Sequence, residues 1–482
     1  MSLTAFAFLR SAQPDAPAVY FPDAQAGPST YSQFRSMTVK AVRRLLDAGF
    51  ARGDVVALEL SNELLHALLV VACARIGIAT VSGSPSTVQE HLTVKAVFRD
   101  RAPPPGAVQT GAAVQVIAVD EDWCRAVSGP DTSALDLPEP DSDDLCRIML
   151  TSGSTGSPKG VALTYRMVQE RIDAFPSVFG SEFAQCSGLM CGMRLGSSLG
   201  YAFLFYSLAR GGLFCADSTD FDKIVGAIRQ NGIQALITTP YTLAEIIARI
   251  EQGDTSFSRL PLVLTAGSLA SPQLARRVRD LLCDRLVVFY GTTETGVVST
   301  SDGDTEVGDV GTAVTGRRVE IVDDDGRIVP DGEVGTIRIR RDNGPLPYFE
   351  LPDWKQKTPR ETFSPGDVGS INAFGHLVIR GRADNVINLG GTKTTFELLE
   401  QMLLAAPGVR DCGVVCRRDE LGIDRITAVL VLDPFWDQTK FLSYCEANII
   451  RDFLPTKFVL ATQIPRNRNN KIDREALAKL AG

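Results

Sequence analysis

Histidine is scarce in this sequence: only His66, His91 and His376 occur, and no two lie close together. A zinc centre or a Ser-His-Asp triad therefore has little raw material. The ten cysteines include no CxxC pair. Cys412 and Cys416 share one face of the strand-like "CGVVC", where small buried side chains suffice as an explanation. Basic charge is not in excess either. The net charge is -8 with a pI near 5.2, which excludes nucleic acid or an anionic membrane as the expected partner. A long uninterrupted apolar run is also missing. The most apolar stretch, "LLHALLVVACARIGIATV", is broken by His66 and Arg75 and reads as a buried helix rather than a membrane span. The start, "MSLTAFAFLRSAQPDAP", has no cationic region followed by a long apolar one, so no signal peptide is expected. Free thiols in a chain of this kind point to the cytoplasm.

What is present is the balance of an ordinary globular protein, 44% hydrophobic and 22% charged over 482 residues, a length that suggests roughly two to four domains. The acidity is uneven. From Ala383 onward 13 basic and 13 acidic residues cancel, so the whole excess lies upstream. The amino-terminal part alternates helical and strand patterns. "YSQFRSMTVKAVRRLLDAGF" is spaced as a helix closing at Gly49, "GDVVALEL" as a strand, Leu64–Ile76 as a helix and "IATV" as a strand. A second series of apolar strands follows: "LCRIMLTS", "GLFCAD", "IQALITTP", "LPLVLTAGS" and "RLVVFYGTTE". Their lack of alternation predicts parallel sheets covered on both faces, with ligands at the Gly/Ser/Thr turns that end them. After Gly311, "RRVEIVDDDGRIVPDGEVGTIRIRR" and "GSINAFGHLVIRGR" alternate, which predicts a small antiparallel barrel or sheet. The last hundred residues read as a compact α+β unit. The fold class is thus α/β, with parallel sheets plus an antiparallel part over residues 1–381, and a small domain over 382–482.

The segment "TSGSTGSPKG", Thr151 to Gly160, resembles a linker by composition. It nevertheless follows an apolar strand and precedes a helical stretch, "LTYRMVQERI". Gly153, Gly156 and Gly160 let backbone approach an anion, Ser152, Ser154 and Thr155 offer hydroxyls, and Lys159 offers a point charge. No glycine precedes a Lys-Ser/Thr pair, so it is not a Walker loop.

With these flanks the segment resembles the phosphate loop of the adenylate-forming superfamily: acyl- and aryl-CoA synthetases, adenylation domains of peptide synthetases, and luciferases. The resemblance runs nearly end to end. "TAGSL" (265–269) is similar to the family's adenine-contacting turn, which includes Gly267 and Ser268. "YGTTETG" (290–296) is similar to the turn carrying a phosphate-binding threonine and a metal-binding glutamate. The resemblance gives Thr293 and Glu294 those roles, with Tyr290, Gly291 and Thr292 beside the nucleotide. "GDVG" occurs twice. The copy at 308–311 resembles a structural segment, whereas the copy at 366–369 precedes "GRADNVINLGG" and matches the ribose-binding aspartate, Asp367. A carboxylate can accept from both ribose hydroxyls. Arg382 is its implied partner, Asp384 the implied hinge, and Lys471 in "NNKIDREAL" the implied catalytic lysine.

The reaction so implied brings a carboxylate against the α-phosphorus of ATP. Lys471, a magnesium ion on Glu294, and the loop from Thr151 through Lys159 supply the positive charge that two anions require. The family's small domain then swings, and "LGGTK" (389–393), with Gly390, Gly391 and Lys393, shapes a channel for the thiol of CoA or of a phosphopantetheinyl carrier protein.

Three departures stand out: Tyr165 where a histidine is frequent, Asn470 where a glycine precedes the catalytic lysine, and "FELLE", which keeps only Glu400 of the usual run. Amino-acid-activating relatives hold the ammonium group with an aspartate. Alignment back from "LARGG" puts Ser198 there, beside Gly200 and Tyr201, so the acid pocket is expected to suit an apolar acyl or aryl acid. The leading expectation is an acid–thiol ligase forming acyl-CoA through acyl-AMP. A stand-alone enzyme loading a carrier protein, a luciferase-like oxygenase and an inactive nucleotide-binding scaffold are the alternatives.

Overall fold

The computed structural model describes residues 6, 13–23, 27–83, 93–101, 114–131, 133, 137–151, 159–216, 218, 221–253, 257–303, 306–346, 348–351, 354–358, 360–389, 392–418, 424–434, 436–467 and 471–482. Two sheets dominate it. One has seven strands in the order Phe349–Glu350, Lys159–Thr164, Leu145–Thr151, Ala79–Ser82, Val55–Glu59, Ala96–Arg99 and Gln115–Ala118. The last five of these run parallel. The larger sheet has a parallel centre, Gly188–Cys191, Ala235–Thr238, Leu260–Thr265 and Cys283–Thr292. It continues edge to edge through Gly296–Ser301 and Asp309–Ala313 into the antiparallel strands Leu377–Arg382, Asp367–Ile371, Gly335–Arg341 and Arg317–Val322. The antiparallel part is therefore an extension of the main sheet.

Between the sheets sit helices whose sequences leave no polar face. Glu63–Arg75 buries eleven of its residues, and Asn62 caps it by accepting from the amides of Leu64 and Leu65. A helix apolar all round has to be a core helix, as its interrupted hydrophobic run implied. Arg75 ends it and reaches the carbonyls of Leu137 and Pro138 at 2.9 and 3.2 Å. The helix Ser198–Arg210 is similarly buried, and packs its aromatic face against Phe175 of the helix Tyr165–Phe179. Among the described residues no helix is long and apolar enough to cross a membrane.

Two sequence expectations are corrected here. "LCRIMLTS" belongs to the first sheet and pairs with Ala79–Ser82, not to the second series. The chain also does not pass from the 151–160 segment directly into a helix. It first forms the strand Lys159–Thr164, antiparallel to Leu145–Thr151, and the helix begins at Tyr165 with Thr164 as its cap. The β-branched and small residues of "KGVALT" pair with the preceding strand, and that pairing overrides the helical spacing.

Residues beyond Arg382 form a separate layer. The three-stranded sheet Val409–Arg418, Asp424–Leu432 and Lys457–Leu460 is covered by Phe396–Leu404, Gln438–Asn448 and Arg474–Ala481. Its core is its own, with Leu403, Val414, Ala428 and Phe441 at the centre. Glu400 lies inside it, accepting from the Val414 amide at 2.8 Å and from both arms of Arg474. Burial pushes its carboxyl up while Arg474 pulls the other way. The surviving glutamate of "FELLE" thus ties the first helix of this domain to the last one.

Candidate functional site

The site is built where the parallel strands end. Strand Cys283–Thr292 turns at Thr292–Gly296 into its antiparallel neighbour. The turn is closed by Thr292: its hydroxyl accepts from the Thr295 amide at 3.2 Å and lies 3.1 Å from the Thr295 hydroxyl. Gly291 is required by close approach. A Cβ there would stand 2.3 Å from the Gly296 carbonyl oxygen. Two arginines that the sequence argument passed over pin this turn from beneath. Arg171 donates to the Glu294 carbonyl at 3.2 Å and Arg317 to the Thr295 carbonyl at 2.9 Å.

Glu294 is half-buried in that turn. Burial pushes its carboxyl up, and its own amide, the Thr292 hydroxyl and Arg171 moderate the shift. Among the described residues it has no ion-pair partner, and no group of three His, Cys, Asp or Glu side chains could enclose a metal. A desolvated carboxylate without an ion-pair partner among the described residues fits a magnesium ion that would take its remaining ligands from phosphates and water.

Tyr290, on the same strand, donates to Asp367 Oδ2 at 2.5 Å. Arg382 approaches the other carboxylate oxygen at 3.1 Å and also donates to the Pro365 carbonyl at 2.6 Å. Asp367 and Arg382 are register partners on adjacent antiparallel strands, so the sheet itself sets their spacing. The second "GDVG" thereby joins the Tyr290 strand. The first does something else: Asp309 is 2% exposed, accepts from the Gly311 amide at 2.7 Å and faces His376 at 3.2 Å. Gly267 and Ser268 are exposed at the end of Leu260–Thr265.

Thr151 and the exposed Lys159 face each other as register partners at the mouth of their hairpin. Ser152, Gly153, Ser154, Thr155 and Gly156 lie outside the described residues, as do Gly390, Gly391 and Asn470. The backbone at Lys393 belongs to the strand Thr392–Thr395. Tyr165 is wholly buried and donates to the Ala74 carbonyl at 2.6 Å. It therefore holds two helices together.

Around the expected acid pocket, Ser198 opens the helix Ser198–Arg210 and its hydroxyl accepts from Arg171 at 3.0 Å. Gly200 donates to the capping Ser197 hydroxyl at 3.1 Å. Tyr201 points into the core, with its hydroxyl 3.2 Å from Cys146 Sγ and its ring 5.2 Å from the Arg147 guanidinium. Arg147 is another residue the sequence argument passed over. It is fully buried and donates to Thr80 at 2.7 Å, Ser82 at 2.5 Å and the Leu195 carbonyl at 3.3 Å. Burial is the main cause that pulls both Arg147 and Arg171 down to about 10, with Arg317 adding repulsion at Arg171. Two buried cations thus flank the turn that leads into the 198–210 helix.

On the small domain, exposed Lys471 is tied to Asn467, whose amide donates to its carbonyl at 2.7 Å and whose side chain accepts from its amide at 3.2 Å. The neighbouring Arg466 is clasped by Asp411 at 2.7 Å, and stacks over Tyr241 of the large domain at 4.1 Å. Asp384 is exposed in a short 3₁₀ turn, Ala383–Asn385, which Asn385 anchors to Glu397.

Several known proteins are similar to this chain over most of its length. The salicylyl-CoA synthase / salicylate adenylyltransferase of a Streptomyces species is 25% identical, with 93% of this chain and 88% of that enzyme covered. The 4-chlorobenzoate–CoA ligase of an Arthrobacter species is also 25% identical, over 94% of this chain and 90% of the ligase. The crystal structure of the anthranilate CoA ligase AuaEII in complex with anthranoyl-AMP superposes with a TM-score of 0.83. It covers 100% of this chain and 97% of that one at 19% identity. The pattern described as "AMP-binding enzyme" matches residues 8–349 and that of the "AMP-binding enzyme C-terminal domain" matches residues 398–471. The chain belongs to the family of AMP-binding enzymes.

Proposed function

We propose that this protein is an ATP-dependent acid–thiol ligase, which converts an apolar aryl or acyl acid into its acyl-AMP with release of pyrophosphate and then passes the acyl group to CoA. The observation that carries this reading is the meeting of Tyr290, Asp367 and Arg382 at one end of the strand whose other turn residues are Thr293 and Glu294. Asp367 keeps lone pairs on both carboxylate oxygens for the two ribose hydroxyls. Thr293, Thr151 and Lys159 are the proposed phosphate-binding residues, together with the segment between the last two. Glu294 would hold a magnesium ion, which would supply positive charge against the triphosphate. Lys471 on the mobile domain positions the acid's carboxylate against the α-phosphorus, and the 389–393 segment then admits the thiol. Asp384 is the proposed hinge and 1–381 and 382–482 the proposed domains. The relatives named for aryl-CoA ligation favour an aryl acid. Ten free cysteines suit a reducing compartment, and we place the enzyme in the cytoplasm.

The test is ATP–pyrophosphate exchange over a panel of aryl, acyl and amino acids, followed by addition of CoA or a carrier protein. Exchange followed by acyl-CoA supports the reading. Transfer only to a carrier would establish the loading enzyme instead, a role favoured by the 22% identity to tyrocidine synthase 1 of Brevibacillus parabrevis over 96% of this chain. No exchange with any acid would leave a nucleotide-binding scaffold.

A further inference from the structure

We infer that Arg171 is a positioning residue that links the acid end of the site to the metal-binding turn, so that the state of one is felt at the other. This rests on the assignment of Glu294 to magnesium in the reading above. Arg171 sits midway along the helix Tyr165–Phe179 and is 8% exposed. One arm of its guanidinium donates to the Ser198 hydroxyl at 3.0 Å and the other to the Glu294 carbonyl at 3.2 Å. Ser198 and Glu294 belong to unconnected elements: the first turn of a helix and the hairpin turn that ends a central strand. A planar guanidinium fixes its two donors in one fork, so both partners are held at a set separation. A lysine ammonium would keep the charge and lose the fork.

The neighbourhood makes the bond directional. Arg317 fixes the adjacent Thr295 carbonyl at 2.9 Å, and Gly296 brings its own backbone against the Arg171 stem, where an added Cβ would be 3.8 Å from Cγ. The carbonyls of Glu294 and Thr295 are thus each held by an arginine. Loss of the Arg171 bond frees the Glu294 peptide to rotate. Loss of the Ser198 hydroxyl frees one arm of the fork and loosens the other.

The experiment is a magnesium titration of thermal stability at saturating ATP, which needs no acid and no turnover. It compares the wild-type chain with R171K and S198A. Outer-shell partners of metal ligands typically change metal affinity by about 10- to 100-fold. Because this bond reaches the backbone of the ligand and not its carboxylate, the expected shift for R171K is the lower figure, about tenfold more magnesium at the midpoint. S198A should move the midpoint in the same direction by less. The stabilisation by ATP with chelator in place of magnesium should be unchanged in both. If R171K lowers the starting melting temperature but keeps the magnesium midpoint, Arg171 is only a packing residue and the inference fails. A shift in R171K with none in S198A removes the acid-side half of the link and overturns it equally. A wild-type chain whose ATP stabilisation ignores magnesium would instead refute the metal assignment to Glu294.

Discussion

The Tyr290 hydroxyl and Asp367 Oδ2 lie 2.5 Å apart, joining residues 77 positions distant in the chain. Burial, with the Asp367 charge adding to it, holds the phenol well above its ordinary range, so at neutral pH it is a donor and never a competing anion. Asp367→Asn should therefore weaken nucleotide binding by more than the tyrosine change does. A charged hydrogen bond is worth about 1.5–3 kcal/mol, so the KM for ATP should rise roughly ten- to a hundredfold. Tyr290→Phe leaves the carboxylate in place and should raise it less. Equal and small effects in the two variants would remove Asp367 from the ribose.

Glu294 yields a prediction about stability in the absence of ligands. Burial raises its carboxyl pKa on folding, so the folded state holds the proton more tightly than the unfolded chain does. Its contribution is intact below the ordinary glutamate range and is lost as pH rises through the raised value. Glu294→Gln should then increase the melting temperature of the metal-free protein at about pH 7.5, and do so less at about pH 3, where both states are protonated. The same variant should lose magnesium-dependent adenylation by about a hundredfold or more. A destabilised glutamine variant at neutral pH would show that the carboxylate is compensated in the folded protein.

How much of this was legible in the sequence depended on whether partners were near in the chain. Strands such as Leu260–Thr265 and Cys283–Thr292 announced themselves as apolar runs ending in Gly/Thr turns, because both sheet faces are buried. Asp367 was separable from Asp309 by the strand pair that follows it, and the structure gives the two copies different partners, Arg382 and His376. Arg171 and Arg147 were not legible. A single arginine in "VQERIDAF" or "LCRIML" reads as a solvated charge or a breach of pattern, since the carbonyls that receive it lie 123 and 48 residues away. The strand Lys159–Thr164 was hidden for a similar reason: its pairing partner, not its six residues, makes it a strand.

The proposed hinge supplies a steric test. Gly381 has φ of +136°, and a Cβ there would meet Thr395 Oγ1 at 2.6 Å and Glu397 Oε2 at 2.7 Å. Gly381→Ala should force the 396–404 helix away from the strand end and destabilise by about 1–3 kcal/mol. Asp384→Pro, three residues on and exposed, fixes φ near about −65° with little packing consequence. Adenylation should survive that change better than thiolation. Wild-type rates for both steps would show that the domains do not turn at this point.

The two lysines should separate by half-reaction. Lys471 is on the small domain, bonded to Asn467, and the neighbouring Arg466 stacks on Tyr241. Lys471→Ala is expected to suppress acyl-AMP formation by about a hundred- to a thousandfold and to leave thioester formation from supplied acyl-AMP largely intact. Lys159→Ala should instead raise the requirement for ATP and pyrophosphate, since the role proposed for its charge is to bind the leaving group. Single-turnover measurements of each step distinguish the two. Equal losses from Lys471→Ala in both steps would remove the domain swing from the mechanism.

The last expectation concerns the acid, and the structure sharpens its physical basis. On the proposed alignment Ser198 stands where an aspartate would hold an ammonium group, and its hydroxyl already accepts from Arg171 at 3.0 Å. The nearest buried charge at this turn is therefore positive, with the fully buried Arg147 donating to the Leu195 carbonyl three residues earlier. An α-amino acid would bring its ammonium group next to like charge and without a carboxylate, which costs several kcal/mol after relaxation. An aryl acid meets no such penalty and gains about 25 cal/mol for each Å² of apolar surface it buries. Pyrophosphate exchange should accordingly respond to aryl or short-to-medium acyl acids, and by at least about a hundredfold less to common amino acids. Introducing the missing carboxylate as Ser198→Asp should narrow that gap by pairing with Arg171 and offering an acceptor to the ammonium group. Strong exchange of the unaltered protein with any zwitterionic amino acid would show that Ser198 does not face the substrate.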